Sequence, residues 1–316
     1  MIFYLGTHEP SWLARCTVPL MVSRNRLARL KTLPAAATDW VMDSGGFTEL
    51  QQHGRWRIDA RTYATELEHV RHQVGRLVWA APQDWMCEPA VIHGGTFKGV
   101  RFAGTGLNVR EHQARTVGNY LDLRALNAPV IPVLQGYSLA DYERCADAYE
   151  AAGVRLADLP TVGLGSVCRR ENTNEIGEVV AAMSARGIRC HGFGCKGGAV
   201  RRYGDMLASA DSMAWSLAGR RRGSCTHLKS RCANHMHYAM AWRESVVSAP
   251  KGGTLLANVE QAGGCVVTLY VYTTEPTGWE NLDDGKVGRW VLKNTHRGGP
   301  WPRTGDDVLA MKAGER

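Results

Sequence analysis

The chain has 316 residues and a formal net charge of +8, enough length for one large domain or one domain with an appendage. Chains of about 300 residues hide roughly three quarters of their unfolded surface, so a sizeable core is within reach. The basic excess favours a polyanionic partner such as nucleic acid. No apolar run approaches the ~20 residues of a membrane span, and Met1-Ile2-Phe3-Tyr4-Leu5 is too short and lacks the basic start of a secretory signal. The nine cysteines are therefore expected as reduced thiols in the cytoplasm, where clustered ones bind metal rather than pair.

Apolar strand-like runs alternate with helical segments. Strands are predicted at Ile2 to Leu5, Trp40 to Met42, Leu77 to Ala80, Val130 to Leu134, Thr161 to Leu164, Arg189 to Phe193 and Ser209 to Ala214. Helices are predicted at Ala60 to Val74, Arg110 to Leu126, Leu139 to Ala152, Thr173 to Arg186 and Val200 to Leu207. In the third helix Leu139, Tyr142, Cys145, Ala146 and Tyr149 keep helical spacing, with Ser138 as N-cap and Gly153 beyond the end. Alternation implies parallel pairing through right-handed crossovers. About seven such units favour an α/β fold of the (β/α)8 TIM-like barrel type. An open doubly wound sheet is the alternative, and the missing Gly-x-Gly-x-x-Gly at the first turn counts against it.

A change of character follows Pro250. Lys251-Gly252-Gly253 reads as a linker, Val266 to Tyr272 as a strong strand and Trp290 to Leu292 as a weaker one. The expected organisation is a barrel over residues 1–249 and a small β-rich C-terminal appendage or partly ordered tail over 250–316.

Chemistry is concentrated at strand ends. Val41-Met42-Asp43-Ser44-Gly45-Gly46-Phe47 runs a strand into an acid and then into a glycine pair, where backbone approaches a ligand closely. Asp211 ends another apolar run, and Asp84 follows a third. In a barrel all three converge on one face. The bland reading of each is a helix cap or a turn acid. Paired carboxylates allow one to attack carbon while the other handles protons. Gln135 offers a donor and an acceptor to a heterocycle edge, and Gly163-Leu164-Gly165 offers bare backbone to a flat ligand. Both also fit ordinary loop geometry.

Cys225-Thr226-His227 and Cys232-Ala233-Asn234-His235 supply four sulfur and nitrogen ligands for tetrahedral Zn2+. Four protein ligands make a closed, structural zinc-binding insertion near the barrel's C-terminal end, with the second pair opening a helix from Cys232 to Val246. The spacing favours His235 as fourth ligand and leaves His237 spare. A basic, His-rich surface loop is the alternative.

Together these segments resemble the tRNA-guanine transglycosylase superfamily. Asp43-Ser44-Gly45-Gly46-Phe47 resembles its Asp-Ser-Gly-Gly-Phe motif, whose acid is the general acid/base. Gln135-Gly136 resembles its Val-Gln-Gly element, which contacts the purine. Asp84 sits where the family keeps an acid that reads the base, and Gly163-Leu164-Gly165 resembles its base-binding strand end. Asp211 falls where the family keeps its nucleophile. Gly163 to Arg170, Ser209 to Trp215 and Tyr238 to Glu244 bring the match closer to the DNA-acting branch, the deazapurine DNA modification protein A family, met in phages and bacterial genomic islands. The zinc cluster differs from the tRNA enzymes' Cys-x-Cys-x-x-Cys with a distant His. Nothing after Pro250 resembles their RNA-binding module, which favours DNA over tRNA.

The resemblance implies a DNA-guanine transglycosylase that exchanges guanine for a 7-deazaguanine base such as 7-cyano-7-deazaguanine. A flipped deoxyguanosine is attacked at C1′ by Asp211, and Asp43 moves the N9 proton. Arg169, Arg170, Lys196, Arg201, Arg202 and Arg220, Arg221, Arg222 are the expected grips on DNA phosphates, a solvated charged face being the plain alternative. The partners implied are double-stranded DNA and a free 7-deazaguanine base, with no membrane. A homodimer and an accessory protein that opens the duplex remain open. Location is cytoplasmic, in the host cytoplasm where a phage encodes the chain. Two other readings stand beside this one: a tRNA enzyme on the same fold, and a non-catalytic zinc-stapled DNA-binding protein.

Overall fold

Eight short apolar runs pair in parallel in the computed structural model, which describes residues 1–168, 170, 173–221 and 232–248 and the strand backbone at Thr254–Glu260, Val266–Val271 and Glu280–Asn281. They are β1 (Ile2–Thr7), β2 (Leu20–Ser23), β3 (Trp40–Asp43), β4 (Leu77–Ala80), β5 (Val133–Leu134), β6 (Val162–Leu164), β7 (Cys190–Gly192) and β8 (Leu207–Ser212). Their order is β4-β3-β2-β1-β8-β7-β6-β5, so the first and last strands are neighbours, in register at Tyr4 and Asp211. The two edges meet at one parallel bridge, Ala80 to Val130. There Ala80 N–H donates to Pro129 O (2.8 Å) and Ile131 N–H to Ala80 O (3.2 Å). The fold is a curled eight-stranded parallel sheet, consistent with a TIM-like barrel.

Strand parity divides the core into two layers, because successive side chains point to opposite faces. Phe3, Leu5, Leu20, Val22, Trp40 and Met42 pack outward under the helices. The residues between them, Tyr4, Met21 and Val41, turn inward and meet Trp79 and Ile131. The same parity aims Ser23, Asp43, Ser209 and Asp211 inward.

Helices Ala60–Val74, Val109–Ala125, Leu139–Ala151 and Asn174–Ala185 cover the outside, each started by a side-chain cap from Asp59, Asn108, Ser138 or Thr173. Their buried polar side chains reach back to the loops that leave the strands. Tyr63 hydroxyl donates to Ala81 O (2.8 Å), Asn119 amide to Gln83 O (2.7 Å), Gln113 amide to Gln135 O (2.7 Å) and Tyr142 hydroxyl to Gly165 O (2.7 Å). Helix Ala214–Arg221 does the same for β1, through Trp215 Nε1–H to Gly6 O (2.7 Å).

Several elements depart from expectation. Strand β2 has no counterpart among the predicted elements; four residues between Pro19 and Arg24 are too few for a pattern. The last strand starts at Leu207 and stops at Ser212, whose Oγ accepts Ala214 N–H and turns the chain into a helix. The preceding helix is accordingly Gly197–Tyr203 rather than Val200 to Leu207. The helix expected from Cys232 to Val246 is Met236–Val247, with a separate 3-10 turn at Cys232–Asn234. Of Val130 to Leu134 only Val133–Leu134 is strand.

By contact the chain divides into Met1–Ala249 and Pro250–Arg316. The second unit has an antiparallel sheet in the order Thr254–Glu260, Val266–Val271, Glu280–Asn281. The expected strand Trp290 to Leu292 lies outside the described residues. Among the described residues no helix is long and apolar enough to cross a membrane.

The tether at Gly165 is testable. Tyr142→Phe leaves a buried carbonyl without its donor and should cost about 1–2 kcal/mol, read as a lower urea midpoint at unchanged slope. An unchanged midpoint would mean that the bond contributes nothing net.

Candidate active site

The carboxyl ends of the strands surround a cavity of about 310 Å³ whose walls include Asp43, Ser44, Phe47, Asp84, Gln135, Gly165 and Asp211. That volume lies at the small end of ligand pockets. Asp43 is the last residue of β3 and pairs in register with Ser23 of β2. Asp211 is the penultimate residue of β8. The three acids predicted from three separate runs thus share one chamber.

Each carboxylate has donors placed for it. Asp211 Oδ1 accepts Gly194 N–H at 2.9 Å. Asp43 Oδ2 accepts Gly45 N–H at 3.2 Å. Burial pushes the Asp43 carboxyl above the usual carboxylate range and the Asp211 charge pushes the same way, while the Ser23 hydroxyl and the Gly45 N–H oppose them. Asp84 is pushed up to about 7, first by burial and then by the Asp43 charge, against the Gln135 amide that donates to it.

Gln135 is locked at both ends. Its Nε2–H donates to Asp84 Oδ2 (2.5 Å), and its Oε1 faces Ser166 Oγ (2.6 Å). Ser166 Oγ also accepts Cys87 N–H (2.8 Å) and stands 2.9 Å from Glu88 Oε2, so its one proton serves Gln135 or Glu88. Ser166 holds this place at φ +55°, a left-handed conformation that costs a non-glycine residue energy and is seen at functional sites. The amide's orientation is thus set by the protein itself.

His191 and Ser166 were not singled out by sequence reasoning. His191 is fully buried on β7, with Nδ1 2.8 Å from Ser209 Oγ and Nε2 3.3 Å from Asp211 Oδ1. Tyr4, Trp79 and Phe193 set their rings edge-on to it at 5.9, 4.8 and 4.7 Å. A histidine one residue before Gly192 inside an apolar strand was the available signal.

The glycines pack tightly against their neighbours. Gly163 and Gly165 spend their N–H groups on Pro132 O (2.8 Å) and Leu134 O (3.0 Å), so neither offers a donor to a ligand. Gly165 lines the cavity, and a side chain there would strike the Gln135 amide. Gly163 makes room for Phe193, whose ring would lie 2.6 Å from an added Cβ, and Leu164 is buried in the outer core. Gly45 takes φ +79° and fits beneath Asn25, Gly46 lies against Trp56 and Met86, and Gly136 lies against Asp141 and Tyr142. None of Gly45, Gly46, Gly136, Gly163 or Leu164 lines the cavity; they shape its walls.

The predicted cations are dispersed. Arg170 lies over the Tyr137 ring at 3.9 Å and pairs with Glu175 at 2.9 Å. Lys196 occupies the N-cap position of helix Gly197–Tyr203 and makes no side-chain cap there. Arg202 donates to Asn174 Oδ1 at 3.2 Å, while Arg201, Arg220 and Arg221 are exposed. Arg169 and Arg222 lie outside the described residues.

Of the predicted zinc ligands, Cys225 and His227 also lie outside the described residues. Cys232 is buried in its 3-10 turn, which sits so close to helix Ala214–Arg221 that a Cβ on Gly219 would come within 2.8 Å of Ala233 N. His235 is the N-cap of helix Met236–Val247, and its ring stacks on His237 at 5.4 Å. Among the described residues no group of three or more His, Cys, Asp or Glu is placed to hold a metal.

Asp84 makes a pH prediction. The folded protein holds its proton up to about pH 7, whereas an unfolded Asp releases it near 4. Its contribution to stability is complete in acid, falls as pH rises from about 4 to about 7 and is gone above that. Asp84→Asn removes the decline. Its melting temperature should exceed that of the wild type by about 5 °C at pH 8 and by clearly less at pH 5. Equal differences at both pH values would sink the assignment.

Comparison with known proteins bears on this chamber. No curated protein matches the chain. A Sinorhizobium meliloti protein described as an isomerase, in an open-loop conformation, aligns over 66% of this chain at 9% identity and a TM-score of 0.35. The chain spans about half of that protein, covering 49% of it. A family model, DpdA (DeoxyPurine in DNA protein A), matches residues 1–263, which include every strand of the parallel sheet and every wall of the cavity. On that match the chain belongs to the DpdA family.

Proposed function

We propose that the chain exchanges guanine in DNA for a free 7-deazaguanine base, such as 7-cyano-7-deazaguanine, by double displacement. Membership of the DpdA family supports a DNA-modifying function of the transglycosylase type. The observation that carries the finer reading is the placing of Asp43 and Asp211 on one small cavity together with the locked Asp84–Gln135 pair.

The target nucleotide leaves the stack, since C1′ is shielded within the duplex. Asp211 forms a bond to C1′ as the C1′–N9 bond breaks, and Asp43 gives its proton to the departing base. A raised pKa suits Asp43 to hold that proton beforehand. The incoming base returns a proton from N9 to Asp43, its N9 bonds to C1′, and Asp211 is released. One glycosidic bond replaces another, so no nucleotide cofactor takes part.

Base recognition falls to Asp84 and Gln135. The ionised Asp84 accepts from the N1–H and the exocyclic amine of the base, and the second Nε2–H of Gln135 donates to its carbonyl. Ser209 donates to His191 Nδ1, which leaves Nε2–H to face Asp211 Oδ1. With Gly194 N–H on the same oxygen, Oδ2 is directed to the sugar. Structural Zn2+ is part of this reading. Cys232, in the turn held against helix Ala214–Arg221, and His235, three residues on at the start of the next helix, fit half of a thiolate–imidazole set that Cys225 and His227 would complete. The metal would staple that segment and takes no part in the chemistry.

Mass spectrometry of nucleosides tests the reaction. DNA and tRNA are each incubated with the protein and a mixture of 7-deazaguanine bases. A deazapurine deoxynucleoside should form with wild type and not with Asp211→Ala. Product in tRNA alone would overturn the substrate, and product in neither would overturn the activity. His191→Phe removes the imidazole nitrogen that stands 3.3 Å from Asp211 Oδ1 and should slow covalent adduct formation about tenfold, with base affinity unchanged; His191→Gln, which keeps a donor, should recover most of it. Metal analysis should find one Zn2+ per chain, lost on Cys232→Ala.

A further inference from the structure

A second cavity, of about 600 Å³, opens beside the first and shares Phe47, Glu88 and Cys168 with it. Its walls carry Phe97 and Phe102 from the hairpin Gly95–Phe97/Val100–Phe102, and Tyr137 from the loop after β5. Phe47, Phe97 and Tyr137 are 39%, 46% and 40% exposed, an unusual amount of aromatic face to leave in water around one opening. Cations accompany the rings: Lys98 Nζ stands 5.5 Å from the Phe97 centroid and Arg170 Cζ 3.9 Å from that of Tyr137. Phe47 is braced edge-on by Phe102 at 5.8 Å.

We infer that this cavity is a stacking subsite for an unpaired nucleobase adjacent to the flipped guanine in the same DNA strand. The inference rests on the function proposed above and goes beyond it. Three observations point to that occupant. The cavity shares the Phe47, Glu88 and Cys168 wall with the reaction chamber, so a strand whose C1′ lies at Asp211 and Asp43 has Phe47 between it and this second opening. Exposed rings with cations beside them match a base followed by its phosphate, and base–aromatic stacking tolerates any sequence. The charge is graded: Glu88 stands on the shared wall, where a neutral base passes, while Lys98 on the outer wall and the exposed Arg101 of the same hairpin are the cations available to phosphates, Arg170 being held by Glu175. The Asp43 motif therefore has a second use, since Phe47 walls both cavities.

Binding of fluorescent oligonucleotides that contain a target guanine tests this, with the base on either side replaced in turn by an abasic residue. One of the two replacements should weaken binding to wild type about tenfold, the worth of one stacked base. Phe97→Ala and Tyr137→Ala should lose about the same factor and become indifferent to that replacement, whereas Phe97→Trp should keep both affinity and sensitivity. These rings are exposed, so the substitutions remove no core, and affinity for the free 7-deazaguanine base should stay unchanged. If wild type is indifferent to both abasic positions while still exchanging bases, the subsite is refuted and the proposed activity stands. In that case an apolar protein partner becomes the better occupant. If wild type neither binds nor modifies DNA, both readings fall.

Discussion

Buried side chains of the outer helices hold the backbone where the strands end, and the chemistry depends on that restraint. A strand carbonyl that leaves the sheet in an apolar interior must find a donor or bear a penalty of a few kcal/mol. Tyr63, Asn119, Gln113, Tyr142 and Trp215 provide those donors at Ala81, Gln83, Gln135, Gly165 and Gly6. These are the segments that carry or flank Asp84, Gln135 and the β1 wall of the cavity. The helices thus place the reactive loops as well as covering the sheet.

Held in this way, the loops bring carboxylates together at a cost. Asp43, Asp84 and Asp211 share little water, and burial together with mutual charge raises Asp43 and Asp84. The offsetting donors are few and fixed: Gly45 N–H, Gly194 N–H and the Gln135 amide. Gln135 keeps one orientation because Ser166, in a left-handed conformation, holds its other end. A preorganised set of this kind suits charge that moves during reaction, since no group must reorient when it does. His191 extends the same principle behind Asp211.

Much of this was legible in the sequence, and the limits are physical. Seven of the eight strands of the sheet showed as apolar runs, and Asp43, Asp84, Gln135 and Asp211 stood out because polar residues directly after such runs are conspicuous. Strand β2 was hidden by its length. The glycines were conspicuous too, but only pairing geometry shows that the N–H groups of Gly163 and Gly165 are already used. The roles of Ser166 and His191 were hidden because their partners, Gln135 and Asp211, lie 31 and 20 residues away.

Local chemistry, then, was determined by the sequence itself: which runs become strands, where they stop, and which acids stand at their ends. Composition and spacing reach that far because strand parity and capping act over a few residues. The tertiary structure alone decided what those ends face. Parallel pairing set β8 beside β1 and brought Asp211 to the chamber of Asp43, although 168 residues separate them in the chain. The hairpin carrying Phe97 came to lie beside Phe47 and Tyr137 for the same reason. Such meetings follow from sheet order and helix packing, which depend on the whole core and are written in no short segment of the chain.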